Sequence, residues 1–140
     1  MRTILAALVF SLALLPAAAA KDFGPGDLRV CNADRCVAIE RRDVLPVLGA
    51  FYYSGASAPA VVARPPLGAP SYELRFRNGY ATGIVAGARL DRFLSYGVNL
   101  GRFAKGRWYG VPERVAAEVR RLAKPLAPLP LTRSSLARSH

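Results

Sequence analysis

Tyr72-Glu73-Leu74-Arg75-Phe76-Arg77-Asn78-Gly79-Tyr80-Ala81-Thr82-Gly83-Ile84-Val85 places an Asn-Gly pair between two segments suited to strands. Asn and Gly accept the positive φ that a type I′ turn needs, and the twist of that turn matches its flanking strands. The spacing predicts a hairpin that pairs Arg77 with Tyr80, Phe76 with Ala81, Arg75 with Thr82 and Leu74 with Gly83. Side chains alternate between faces along a strand. Tyr72, Leu74, Phe76 and Val85 therefore share an apolar face, expected to be core. Glu73, Arg75, Arg77, Tyr80 and Thr82 share the other, expected to meet solvent.

A second hairpin follows from the only two cysteines, Cys31 and Cys36. Joining them across Asn32-Ala33-Asp34-Arg35 sets Val30 opposite Val37 and Leu28 opposite Ile39, which gathers four apolar residues on one face. Two thiols fall short of the four ligands of a structural zinc site. The spacing is not the C-x-x-C of a redox motif. A structural disulfide on the face away from the core is the expectation.

Two helices are expected around these hairpins. One runs from 44 to about 53, capped by Asp43, with Pro46 in its first turn. The other begins at Pro112-Glu113, carries Val115, Val119, Leu122 and Leu126 at helical spacing, and stops at Pro125. Residues 54–70, rich in small residues and proline, read as a long extended loop. Between 89 and 111, glycines punctuate short aromatic and apolar segments, which predicts two or three further strands with a turn near Lys105-Gly106. Residues 127–140 are polar and proline-bearing and read as a disordered tail. The expected fold class is α+β: one small domain over 21–126, a mostly antiparallel sheet and two packing helices.

Residues 1–20 carry Arg2, an apolar run over 4–15, Pro16 and Ala17-Ala18-Ala19-Ala20, the pattern of a signal peptide cleaved before Lys21. The run is shorter than the roughly 20 residues a membrane span needs. Loss of Arg2 takes the formal charge from +11 to +10. Such a charge predicts attraction to anionic partners. Arginines outnumber lysines 17 to 3, and a GC-rich coding sequence gives the same bias, so charge alone assigns no partner.

Enzymatic chemistry has few residues to use. His140 is the sole histidine and sits on the tail, poorly placed as a base. Helix roles account for Asp43, Glu113 and Glu118, and surface charge for Glu73 and Asp91. Neither a catalytic residue nor a metal-ligand set nor a cofactor is expected. Arginines and aromatics do interleave, and Arg75, Arg77, Tyr80, Arg102 and Arg107 are the candidate anion-binding set. The expected function is an exported, non-enzymatic basic module for an anionic extracytoplasmic partner: an envelope polymer, a lipid headgroup or nucleic acid. A protein–protein module (an inhibitor or envelope assembly factor) using the loop over 56–70 is the alternative, and a carboxylate-based enzyme is third.

Overall fold

The computed structural model describes residues 28–53, 59–76, 82–96 and 103–138. Residues 1–20, expected to be a leader, the expected turn at Asn78-Gly79, and Arg77, Tyr80, Arg102 and His140 lie outside these described residues. One antiparallel sheet forms from β1 (Leu28–Cys31), β2 (Cys36–Ala38), β3 (Pro70–Phe76), β4 (Thr82–Ala86), β5 (Arg92–Ser95) and β6 (Trp108–Gly110), in the order β2-β1-β3-β4-β5-β6. A two-residue strand, β7 (Leu129–Pro130), pairs with the start of β3. Among the described residues there are three helices: α1 (Leu45–Tyr53), α2 (Glu113–Ala123) and α3 (Arg133–Ala137). The class is α+β, as the sequence implies.

Both hairpin registers match the expectation. Val30 pairs with Val37 and Cys31 with Cys36, and the Ile39 amide donates to the Leu28 carbonyl. Leu74 pairs with Gly83 and Arg75 with Thr82. The region over 89–111 resolves into β5 and β6, with Gly106 supplying a positive φ of 78° at the turn between them.

The first face of the sheet is the main core. Leu28, Val30, Leu74, Val85, Phe93 and Tyr109 point into it, and both α1 and α2 pack there. Helix α2 is amphipathic as its spacing requires, burying Val115, Val119 and Leu122, while Arg121 turns back to Glu118. Four rings interlock at the centre: Phe103 stands 5.0 Å from both Phe51 and Tyr109, and Phe93 lies 5.1 Å from Phe103. Edge-to-face pairs of this kind add about 0.5–1.5 kcal/mol beyond area burial. Gly83 is required by that packing, because a Cβ there would stand 2.2 Å from the Phe93 ring. Helix α1 starts at Leu45 without the expected Asp43 cap. Asp43 instead forms an exposed ion pair with Arg41 at 2.9 Å, and the Val44 carbonyl accepts from the Leu48 amide.

The second face corrects two expectations. It does not simply meet solvent. Ile84, Ala86, Leu94 and Trp108 form a second apolar cluster, closed by Ala69 and Leu131. Alternation still holds, but both faces are covered, so β4 and β5 bury their side chains on both sides. The cover is the segment expected to be a disordered tail. After α2, β7 lies in line with β1 along the same edge of β3. Leu131 then continues the pairing through Ala69 and Gly68, and α3 begins after Thr132, whose side chain accepts from the Ser135 amide. Arg138 reaches back to Glu73. Glu73 is thus no surface charge: its side chain is 10% exposed and is held by both Arg75 and Arg138.

The disulfide between Cys31 and Cys36 forms as expected, opposite the main core, yet Cys31 is fully buried because this second face is covered. Its loop also grips the chain leaving α2. Asn32 accepts from the Asp34 and Arg35 amides and donates to the Ala127 carbonyl at 3.2 Å, and Arg35 donates to the Pro125 carbonyl. The staple therefore fixes the path of the C-terminal segment as well as the hairpin end.

Candidate functional site

Two of the five candidate residues, Arg75 and Arg107, fall within the described structure. Arg75 on β3 is committed to Glu73, its Nε donating to Oε2 at 2.6 Å. Arg107 is exposed just ahead of β6, with β4 and β5 between it and β3. Three strand steps of about 4.8 Å put those positions about 14 Å apart. The structure does not bring this pair together.

A different pair emerges once the arginines are sorted by partner. Carboxylates hold Arg41, Arg75, Arg92, Arg120, Arg121 and Arg138. Among the described residues, Arg35, Arg42, Arg64, Arg89, Arg107, Arg114 and Arg133 have no carboxylate partner, and Arg35 is spent on the Pro125 carbonyl. Arg64 and Arg133 line one cleft. Its volume is about 460 Å³, and Leu67, Leu136 and Ala137 complete its lining.

The sequence builds this cleft from two segments far apart in the chain. One wall is the proline-rich stretch around Arg64 to Leu67, which continues from residues 60–62, held against β6. Val61 bridges Tyr109, the Val62 amide donates to the Trp108 carbonyl at 3.0 Å, and the Arg92 Nη1 donates to the Ala63 carbonyl at 2.8 Å. The other wall is α3, held down by the Tyr96 hydroxyl, which donates to the Ser135 carbonyl at 2.6 Å. The walls meet where the Gly68 amide donates to the Leu131 carbonyl at 2.9 Å and the Leu131 amide donates to the Ala69 carbonyl. Below them lies the second apolar cluster, against which Val62, Tyr96 and Leu136 pack.

Electrostatics distinguish the cleft from its surroundings. Just beyond α3, the Arg138 charge is answered by Glu73, whereas Arg64 and Arg133 are answered by nothing among the described residues. Burial pushes the Tyr96 phenol well above its ordinary range, so this hydroxyl stays neutral and keeps donating to α3. Guanidinium groups present planar forks suited to carboxylate or phosphate oxygens. Leu67, 45% exposed at the rim, adds apolar surface beside them. Among the described residues, no group of three or more His, Cys, Asp or Glu side chains is placed to hold a metal ion, and no helix is long and apolar enough to cross a membrane.

No protein-family model, curated protein or solved structure matches this chain. Sequence reasoning missed Arg64 and Arg133 because each sits in a segment without periodicity. One signal was present: Thr132 precedes Arg133-Ser134-Ser135, and Ser and Thr are preferred N-caps.

Proposed function

We propose that this protein is an exported, non-enzymatic basic module that binds an anionic extracytoplasmic partner through Arg64 and Arg133. One observation carries the reading: two guanidinium groups without carboxylate partners line the same cleft. The leader pattern over 1–20 and the Cys31–Cys36 disulfide support an extracytoplasmic location, since disulfides persist in oxidising compartments. Binding an anion in the cleft adds charge-assisted hydrogen bonds from the two arginines.

The test is a salt titration against an anionic polymer. Two arginines that neutralise two charges give a log–log slope that flattens by about 2 when both become alanine. Arg42→Ala with Arg114→Ala is the control pair, equal in charge but outside the cleft. Equal losses from the two double variants remove the proposal.

A second reading has its own observation. Val61 and Leu67 are 60% and 45% exposed on the same proline-rich segment, the loop expected to serve a protein partner. Under that reading Val61→Ser weakens capture of the partner and leaves anion affinity unchanged.

A further inference from the structure

We infer that the cleft takes an amphipathic anion: a single phosphate or carboxylate headgroup carrying a short hydrocarbon chain. This rests on the anion-binding reading above and narrows it to a chemical class. The lining divides into two parts that ask for different things. Arg64 and Arg133 supply two positive groups, enough for one headgroup. Leu67, Leu136 and Ala137 supply only hydrocarbon. A ligand that satisfies both must have a charged end and an apolar end.

Three further features favour this occupant over a polymer. The aliphatic lining continues into the second cluster, against which Leu136 packs. A hydrocarbon chain on Leu67 and Leu136 would therefore extend a surface that is already apolar. Among the described residues the lining holds no aromatic side chain, so a nucleobase or sugar finds no stacking platform on them. Among the described residues, the other arginines without carboxylate partners, Arg35, Arg42, Arg89, Arg107 and Arg114, do not line the cleft and so provide no row of charges leading from it.

The experiment compares octyl phosphate, octanoate, inorganic phosphate and octyl glucoside, each below its micelle threshold, against the full chain by calorimetry. The expected result is that octyl phosphate or octanoate binds, and that their ranking identifies the headgroup. Inorganic phosphate should bind far more weakly, because each buried methylene contributes about fourfold in affinity. Removing either arginine should cost about tenfold. Ala137→Phe, an exposed position on α3, should block the cleft and lower affinity at least about tenfold without changing charge or melting temperature.

Inorganic phosphate binding as tightly as octyl phosphate would overturn the amphiphile and leave the anion reading standing. Octyl glucoside binding equally well would show an apolar groove indifferent to charge, overturning both. No binding by any of the four would overturn the amphiphile, and the polymer titration then decides the anion reading by itself.

Discussion

Arg138 pairs with Glu73 across the second face of the sheet, joining positions 65 residues apart. The last helix is thereby tied to the central strand β3, and the wall of the cleft that it forms is held in place. Glu73→Gln keeps the shape but removes the charge that Arg75 and Arg138 share. Hydrogen bonds to charged groups are worth about 1.5–3 kcal/mol, and both arginines are about half exposed, so the expected loss is about 1–2 kcal/mol. Arg138→Ala, which leaves the Glu73–Arg75 pair, should cost less than about 1 kcal/mol. Denaturant melts of the two variants check the order.

Gly83 and Phe93 make a sharper prediction. A Cβ at position 83 would stand 2.2 Å from the Phe93 ring and 2.6 Å from the Leu94 carbonyl oxygen, a backbone atom with little room to move. Overpacking of this kind costs about 1–3 kcal/mol, and the backbone contact sets the upper end. Gly83→Ala should therefore destabilise by about 3 kcal/mol, read as a lowered melting temperature.

The disulfide closes a six-residue ring between Cys31 and Cys36. The chain-entropy relation gives it about 2 kcal/mol. Since Cys31 is buried, the suitable variant is Cys31→Ala with Cys36→Ala, which adds no buried hydroxyl. Its denaturant midpoint should fall accordingly. Hydrogen exchange should also rise over 127–131, because the Asn32 and Arg35 contacts to Ala127 and Pro125 are loosened with the loop.

Alkaline pH tests the seating of Tyr72 and Tyr96. Burial raises both phenols above their ordinary value of 10.0. The unfolded chain ionises first, so their contribution to stability is complete below about pH 10 and is lost as pH rises through the raised folded values. Tyr96→Phe should reduce that alkaline loss. Absorbance titration of the folded protein should show phenols that resist ionisation where ordinary tyrosines have already titrated.

Much of this fold was legible because its signals are local. The Asn-Gly pair and the cysteine spacing each set a register, and alternation then assigned Leu28, Val30, Leu74 and Val85 to the core. Helix α2 announced itself by Val115, Val119 and Leu122 at helical spacing. The C-terminal segment was not legible, because α3 is five residues long and its stability comes from tertiary contacts rather than propensity. Leu131 and Leu136 are its only large apolar residues that pack on the second cluster, and the partners that bury them lie in other elements. Glu73 was misread for the same reason: its burial depends on Arg138. The cleft depends on the same segment, since it exists only where α3 closes over a loop with no regular secondary structure of its own.

The central claim is that Arg64 and Arg133, among the arginines without carboxylate partners, form the anion site. NMR observation of arginine Nε–Hε signals during titration with octyl phosphate tests it most directly. The account predicts saturable shifts at Arg64 and Arg133, with Arg42, Arg89 and Arg114 nearly unmoved. Shifts of equal size at all five would contradict it, showing an undirected basic surface in place of a site.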